Sequence, residues 1–403
     1  MCSGRSFYIN SVGRKISGVA NSWIEMGHRV HHICGGDIEN NIGSDLKPIL
    51  KLNQIIPNSW RSKIIKKIAL ISNSISEWRD IQHDKKIFKF LMVNSIEYKP
   101  NLIWERSCRL HCSGLKIARL LGIPYVLEWK DHLVDYKYSF FRNRALAMEE
   151  YKNKNADFIV VESEVLRNKL SNEGVDFKKI IVSHNAVDSN EFIREPALRK
   201  LTRDSFGLED NVVLVGYLGS YAFYHDTRRL ILAADIINKS NTNLNIRIIM
   251  IGEGKEFKES QELAKKLKLI DNILIFKPLV PKEFVPGILS ALDIAVLPGS
   301  TDIICPIKVQ EYMASGLPSI VPDYICNREI IKDGETGILF CPYDEISLAN
   351  KILFLSENPI IRNGIGINAR ESAKQFFNWN ATWGSALKRI TDLQNSKAVI
   401  EAI

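Results

Sequence analysis

Short apolar runs alternate with helix-spaced segments along both halves of this chain. In the first half, the apolar run Asn101–Trp104 precedes a segment, 110–121, in which apolar residues recur at helical spacing. In the second half, the runs Val212–Leu218 and Ile246–Gly252 flank a helix-spaced segment at 227–238. Alternating β and α units predict an α/β fold with parallel sheets covered by helices on both faces.

The length of 403 residues exceeds what one hydrophobic core ordinarily covers, so two domains are expected. A linker at Asn185–Pro196 separates two doubly wound, Rossmann-like units. We therefore predict a first domain over 1–196, a second over 197–376, and a terminal helix within 377–403 that packs back on the first domain. Open parallel sheets bind ligands at the carboxyl ends of their strands, so the two domains are expected to face a central cleft that holds the site.

Composition narrows the class of protein. An apolar share of 45% and a charged share of 25% are typical of a water-soluble globular chain. The sequence contains no apolar run of the ~18 residues that a membrane helix needs, and Met1–Arg5 does not open a signal segment. The seven cysteines lack Cys-x-x-Cys or zinc-site spacing. Reduced thiols and a location in the cytoplasm are therefore expected.

The excess of positive charge lies in the first half of the chain. Residues 1–197 contain 30 Lys+Arg and 22 Asp+Glu, whereas residues 198–403 contain 24 of each. Many of these cations lie between Trp60 and Lys99, where apolar residues such as Trp78 are interleaved with them. Such a pattern is typical of a basic amphipathic helix on an anionic membrane, here the inner face of the plasma membrane. The alternative is a solvated helix face packed on its own domain, and nucleic acid is not an expected partner.

The segment 306–318 carries the clearest chemical pattern. It follows the apolar run Ala291–Pro298 and forms a short predicted helix that ends at Gly316. Lys308 and Glu311 are three residues apart, so they share a helix face. A helix N-terminus after a strand suits a phosphate, and a carboxylate one turn later suits the two hydroxyls of a ribose. The alternative is an ordinary strand–helix–strand unit with a solvated lysine and glutamate.

This pattern resembles the donor site of family 4 retaining glycosyltransferases, which have the GT-B fold. Bacterial members often read Pro-x-Lys-x-x-Glu-Tyr-Met-Ala here, as residues 306–314 do. Glu311 matches the second glutamate of the family's Glu-x7-Glu signature, whereas Ile303 occupies the position of the first. Asn185-Ala-Val-Asp188 corresponds to the family's Asn-Gly-Val-Asp.

The resemblance extends from about Gly4 to Trp383 and implies two Rossmann-like domains of the GT-B type. One departure concerns the strand that precedes the first helix in the family, because the sequence opens at the glycine turn that follows it. This departure implies a start drawn too late, a truncated gene or an absent central strand. An absent central strand would leave apolar surface and unpaired backbone groups.

The resemblance implies a donor site at the strand ends of the second domain. Gly219 and Ser220 follow its first strand, and their backbone N–H groups are expected to approach a diphosphate. Ser220 occupies a position that the family often fills with Arg, and His225 one that it fills with Lys. A Gly-x-Gly turn at Gly252 is expected near the nucleotide base, although such a turn alone is also an ordinary tight turn. The residues expected to bind the nucleotide sugar are Gly219, Ser220, His225, Gly252, Phe276, Pro278, Leu279, Ile307, Lys308 and Glu311.

On the acceptor side, the resemblance points to the turn that follows the strand ending at Glu128. The family often carries Asp or His there, so Asp131 matches the pattern and His132 adjoins it. A surface-loop histidine is the alternative for His132. Catalytic roles are predicted for Asp131, His132, Lys308 and Glu311. Because no Asp-x-Asp motif precedes the site, neither a metal nor a cofactor is expected beyond the donor substrate.

The function implied is transfer of a sugar, with retention, from a nucleotide-diphosphate sugar to a glycan or lipid-linked saccharide. The pathway implied is synthesis of a surface polysaccharide, either lipopolysaccharide or capsule. One alternative is a nucleotide-sugar 2-epimerase of the same architecture. Another is a non-catalytic sugar-nucleotide binder, which the departures at Ile303 and Ser220 and the missing first strand favour. A dinucleotide-dependent dehydrogenase is not expected, because no Gly-x-Gly-x-x-Gly follows a strand with an acid ~20 residues later.

Overall fold

The computed structural model describes residues 11–34, 50–51, 69–108, 110–130, 140–240 and 243–401. The chain divides into two units, the first comprising 1–184 with 383–403 and the second comprising 185–382. Both boundaries predicted from the sequence, after residue 196 and after residue 376, fall inside the second unit.

Helices and short strands alternate along the described part of the first unit, as the sequence pattern predicts. The strands β4 (Tyr125–Glu128) and β5 (Phe158–Val161) of this unit are buried along their whole length, which explains why all their residues but Glu128 are apolar or aromatic. The elements in chain order are α1 (Ser11–Glu25), β1 (Ile33–Cys34), β2 (Leu50–Lys51), α2 (Ala69–Tyr98), β3 (Ile103–Arg106), α3 (Ser113–Leu121), β4 (Tyr125–Glu128), α4 (Arg142–Asn155), β5 (Phe158–Val161), α5 (Glu164–Asn172) and β6 (Ile180–Val182).

The described strands of the first unit form two parallel sheets. β1 pairs with β2, and a separate four-stranded sheet has the order β3-β4-β5-β6. A cavity of about 340 Å³ is lined by residues 28–32, which lead into β1, and by residues 98–102 and Trp104 along β3. The expectation of a missing strand concerns residues that precede Ser11, which lie outside the described residues.

The second unit repeats the alternation with longer strands. Its first strand, β7, has six residues and is buried at all but its last position. The elements are α6 (Pro196–Ser205), β7 (Val213–Leu218), α7 (Thr227–Lys239), β8 (Ile246–Ile251), α8 (Phe257–Lys266), β9 (Leu274–Lys277), α9 (Val285–Ala291), β10 (Ile294–Val296), α10 (Ile307–Ala314), β11 (Ser319–Pro322), α11 (Ile325–Arg328), β12 (Ile338–Phe340), α12 (Glu345–Glu357) and α13 (Pro359–Phe376).

One six-stranded parallel sheet, in the order β12-β11-β10-β7-β8-β9, organises the second unit. The chain begins at the centre with β7, builds outward through β8 and β9, and then returns to add β10 on the other side. The strand order therefore reverses between β7 and β10. Open α/β sheets bind ligands at this kind of switch point, beyond the carboxyl ends of the strands.

Alternate residues of the central strands enter two separate hydrophobic clusters. Val213 and Val215 of β7 pack in one cluster, and Leu214 packs in the other. Side chains of a strand point to opposite faces, so helices on both sides bury them. Gly216 marks a close approach, because a Cβ at this position would collide with the side chain of Leu292.

The last described helix, α14 (Ser385–Glu401), belongs to the first unit. Trp383 precedes it and is buried, and its Nε1 donates a hydrogen bond to the His184 carbonyl at 3.0 Å. The Trp383 carbonyl in turn accepts a hydrogen bond from Trp23 Nε1 of α1 at 3.1 Å. The sequence placed 377–403 on the first domain. In the structure residues 383–403 group with that unit, and residues 377–382 group with the second.

Candidate active site

Helix α10 begins at the switch point of the second sheet. It follows β10 through Pro306, whose extended backbone (φ −65°, ψ 140°) makes it the N-terminal cap without a side-chain hydrogen bond to the helix. Gly316, with φ +66°, ends the helix, and Leu317 N–H donates to the Tyr312 carbonyl at 3.0 Å. This eight-residue helix thus points its N-terminus toward the carboxyl edge of the sheet.

Lys308, in the first turn of α10, lies in a polar and aromatic environment. Its Nζ is 3.2 Å from His225 Nε2 and 5.0 Å from the centre of the Tyr217 ring. Burial lowers the pKa of Lys308 to about 7, and the Glu311 carboxylate opposes that shift. Near neutral pH this amine therefore changes its charge readily, and an anion at its side would favour the charged form.

His225 holds Lys308 in place. Its Nδ1 lies 3.3 Å from the Gly299 carbonyl, so Nδ1 carries the proton and Nε2 accepts a hydrogen bond from Lys308. Burial and the neighbouring Lys308 lower the pKa of His225 to about 3. The imidazole is therefore neutral at pH 7. The predicted role of His225 in binding a nucleotide sugar stays a prediction, and the structure shows its ring between the Gly299 carbonyl and the Lys308 amine.

Gly219 leaves space for the Lys308 side chain, but its backbone N–H is not available to a ligand. Its N–H donates to the Ile251 carbonyl at 3.0 Å, which corrects the expectation that this group faces a diphosphate. The β7–β8 hydrogen-bond ladder extends one residue beyond the strand and uses that N–H. A Cβ at Gly219 would overlap Lys308 Nζ and lie 2.9 Å from Tyr217 Oη. Ser220, the next residue, is exposed.

Gly252 and Gly254 allow the turn after β8 to pack closely against the backbone of residues 219–221. Both have positive φ, +149° and +153°, which side-chain-bearing residues rarely adopt. A Cβ on Gly252 would collide with the Gly219 carbonyl oxygen, and one on Gly254 would lie 2.6 Å from the Tyr221 carbonyl oxygen. Gly252 N–H donates to the Lys277 carbonyl at 3.2 Å, so the ends of β8 and β9 are joined as well.

The Gly252→Ala variant should lose about 2–3 kcal/mol of unfolding free energy, from backbone strain and from the clash with Gly219. Chemical denaturation of purified protein measures it. Gly364→Ala is the matched control, because this glycine lies in α13 and a Cβ added to it would meet no atom within 4 Å. Alanine there should raise the unfolding free energy by roughly 0.5–1 kcal/mol. Equal effects of the two substitutions would contradict the tight packing at Gly252.

The structure brings four predicted donor-site residues into direct contact: Lys308, His225, Gly219 and Gly252. Ile307 and Glu311 lie on α10 beside Lys308, and both are partly buried. The other predicted residues lie at the end of β9. Phe276 is partly buried, with its ring 6.2 Å from that of Phe257, whereas Pro278 and Leu279 are exposed. Asp131 and His132 lie outside the described residues, so their predicted roles stay predictions.

Two buried tyrosines complete this edge and were missed by sequence reasoning. Tyr217 Oη donates to the Ser220 carbonyl at 2.7 Å, and its ring borders Lys308. Tyr312 Oη lies 3.4 Å from both the backbone N and the carbonyl oxygen of Leu218. Burial raises the pKa of each phenol. Nothing in the local sequence distinguishes Tyr217 from any other apolar strand residue, so only its neighbours reveal this role.

A second cluster of charges lies at the carboxyl edge of the first unit's four-stranded sheet. Lys15 of α1 pairs with Glu128 (Nζ–Oε1 3.0 Å) and with Glu162. Arg106 Nε is 3.4 Å from Glu128 Oε1, and Lys130 Nζ is 3.3 Å from Glu162 Oε1. Although burial alone would raise it, the adjacent lysines hold the pKa of Glu162 well below its usual range. Three cations against two carboxylates give this cluster a net positive charge.

Among the described residues, no group of three His, Cys, Asp or Glu side chains is placed to bind a metal ion. The residues that converge on the second unit's site are instead an amine, a neutral imidazole, two phenols and bare glycine backbone. Such a set suits an anionic ligand with hydroxyl groups better than a hard cation.

Comparison with known proteins agrees with this arrangement. Residues 199–372 match the model of the family described as Glycosyl transferases group 1. The chain is similar to the UDP-Gal:alpha-D-GlcNAc-diphosphoundecaprenol alpha-1,3-galactosyltransferase of Escherichia coli. The two are 24% identical over 336 residues, which cover 77% of this chain and 79% of that protein.

Solved structures share the fold. A sucrose-phosphate synthase from Thermosynechococcus elongatus superposes with a TM-score of 0.69 at 15% identity, over 98% of this chain and 99% of that one. Anabaena HepE in complex with UDP superposes with a TM-score of 0.65 at 18% identity, over 77% of this chain and 82% of that one. The predicted fold, with two parallel-sheet domains, is confirmed. The chain therefore has the GT-B fold, and the match over residues 199–372 together with its similarity to named glycosyltransferases supports a glycosyltransferase enzyme.

Proposed function

We propose that this enzyme transfers a sugar, with retention, from a uridine-diphosphate sugar to a lipid-linked saccharide in surface-polysaccharide synthesis, as a family 4 member. The observation that carries the proposal is the contact between Gly219 and Lys308, where a cation meets backbone that no side chain covers. Two comparisons support the substrates. The E. coli relative is named for a UDP-Gal donor and a diphosphoundecaprenol acceptor, and HepE was crystallised with UDP.

In the proposed complex, the donor lies across the carboxyl edge of the second unit's sheet. Lys308 and the N-terminus of α10 contact the diphosphate, because an ammonium group and free helix N–H groups both favour an anion. Glu311, one turn later, accepts hydrogen bonds from the ribose hydroxyls. The base lies near Gly252 and Phe276, where the ends of β8 and β9 meet.

The proposed reaction exchanges one C–O bond for another at the anomeric carbon. The bond from this carbon to the diphosphate breaks while the acceptor oxygen bonds on the same face, and the acceptor proton passes to the departing phosphate oxygen. Negative charge grows on the diphosphate in the transition state, so Lys308 stabilises that state more than the ground state. The net positive cluster of Lys15, Arg106 and Lys130 supports an acceptor that carries phosphate.

Product analysis tests the proposal. Purified enzyme is incubated with a panel of nucleotide sugars and a diphosphate-linked lipid saccharide, and the anomeric configuration of the product is read from its proton NMR coupling. The expected result is acceptor-dependent release of UDP and a product with the anomeric configuration of the donor. Inversion at the anomeric carbon would overturn the retaining mechanism. Conversion of the donor to an epimer without acceptor would overturn the transferase proposal itself.

Binding of UDP should weaken as pH rises above neutrality. Free Lys308 has a pKa of about 7, lowered by burial, so its charge is half lost at that pH, whereas bound diphosphate keeps the amine protonated. UDP should therefore bind roughly 50-fold more weakly at pH 9 than at pH 7, as measured by calorimetry. The Lys308→Arg variant keeps its charge and should show a flat profile over that range. An unchanged slope in this variant would assign the pH dependence to another group.

The same pKa predicts how stability changes with pH. Between about pH 7 and the ordinary lysine value, the unfolded chain binds a proton at Lys308 that the folded chain releases. This group therefore makes the unfolding free energy rise with pH across that window. UDP affinity should thus fall as pH rises, whereas the contribution of Lys308 to the unfolding free energy should increase. Both changes arise from the titration of this one amine.

A further inference from the structure

Helix α2 of the first unit exposes a stripe of apolar and basic side chains. Trp78, Lys85, Lys89, Met92 and Ile96 follow one another at intervals of seven, four, three and four residues, which places them on one face of a helix. All five are exposed, Trp78 to 54% and Ile96 to 78%. Several large apolar side chains are rarely exposed to solvent along one helix face, so this stripe indicates a surface that binds a partner.

The opposite face of α2 is anchored to its own unit. Asp84 accepts hydrogen bonds from the backbone N–H groups of Cys112 (3.2 Å) and Ser113 (3.1 Å), so it supports the first turn of α3. Ile87 is buried on the same side. These contacts set the rotation of α2 about its axis and direct the stripe outward.

The charges beside the stripe are nearly all positive. Arg79 and Lys86 are exposed at its margin, next to Lys85 and Lys89 within it, and Glu97 is the exposed acid among residues 78–97. Apolar groups interleaved with cations along one helix face are typical of a segment that lies in the plane of an anionic bilayer. A partner protein would instead favour a contiguous apolar centre with the charges at its rim.

We propose that this face, defined as Trp78, Lys85, Lys86, Lys89, Met92, Val93 and Ile96, docks the protein on a bilayer that contains anionic lipids. Trp78 and Ile96 enter the interface, and the lysines contact lipid phosphates. No helix among the described residues is both long and apolar enough to cross a membrane, and this docking requires none. The residues that support this docking all lie on α2, so the proposal does not depend on the function of the donor site.

Vesicle co-sedimentation tests the proposal with the full chain. Phosphatidylcholine vesicles with and without phosphatidylglycerol are compared, and strong binding is expected only when phosphatidylglycerol is present. The double variant Lys85→Ala/Lys89→Ala should bind these vesicles about 20-fold more weakly. The double variant Trp78→Ala/Ile96→Ala should bind at least about tenfold more weakly. Both variants alter exposed positions, so their circular dichroism and UDP affinity should match the parent.

Two matched controls separate this face from general surface effects. Ile360→Ala/Ile367→Ala removes apolar side chains that are exposed to 86% and 66% on α13, and Lys265→Ala/Lys266→Ala removes two exposed lysines on α8. Neither should change vesicle binding. Equal binding to both vesicle types, or equal losses in the controls and the α2 variants, would overturn the proposal. So would α2 variants that sediment like the parent, which would leave a protein partner as the occupant of the stripe.

Discussion

The Lys308→Met variant should transfer sugar with a kcat/KM roughly 10²–10³-fold below that of the parent enzyme. Lys308 is the cation next to the uncovered Gly219 backbone, and His225 holds its amine from the other side. Methionine keeps the length of the side chain but offers no charge to the departing diphosphate. Steady-state kinetics with donor and acceptor, supported by calorimetry with inorganic diphosphate, measure the loss.

The control for this prediction is Lys332→Met, which removes an exposed lysine from the same unit. It should leave kcat/KM within about twofold of the parent value, because a solvated surface charge contributes little. Uridine, which lacks phosphate, should bind the Lys308→Met variant as tightly as it binds the parent. Parent-like turnover by Lys308→Met would remove this lysine from the active site.

The Glu311→Ala variant should bind UDP about 100-fold more weakly, because two hydrogen bonds from ribose hydroxyls to a carboxylate are lost. The same carboxylate also counteracts the effect of burial on the pKa of Lys308, so its removal shifts that amine further toward the neutral form. Calorimetry with UDP and with uridine separates the two effects. Unlike Lys308→Met, Glu311→Ala should weaken both ligands.

Thermal unfolding shows whether the loss is local. Glu311 is only partly buried in the second turn of α10, so the variant should fold normally. Glu335→Ala changes an exposed carboxylate in the same unit and should bind UDP like the parent. Unchanged turnover by Glu311→Ala would defeat the assignment of this site.

Most of the second unit could be predicted from local sequence. β8 and α10 lie where the apolar run and the Lys308–Glu311 pattern place them. Parallel strands buried on both faces are nearly all apolar, and helices end at glycine, so these signals are contained within a few residues. The unit boundaries were less predictable, because a linker resembles any polar loop until the packing on either side is known.

The roles of His225 and Gly219 could not be predicted in this way. The sequence predicted a Gly219 N–H that faces a diphosphate, whereas this N–H is used within the sheet. Nothing in the sequence indicated that burial keeps the His225 imidazole neutral. Both features depend on partners distant in sequence. Gly299 lies 74 residues from His225, and Lys308 lies 83 residues from it.

The sequence by itself determined the alternation of strands and helices, the shared helix face of Lys308 and Glu311, and the concentration of cations in the first half. The first two properties depend on the spacing of residues within one or two helical turns, and the third depends on composition. None of them requires contacts between distant segments. Only the tertiary structure decided which amine is desolvated, which glycine must remain bare and which face of α2 stays in water. Burial, protonation and close approach depend on atoms from remote segments, and packing alone brings those atoms together.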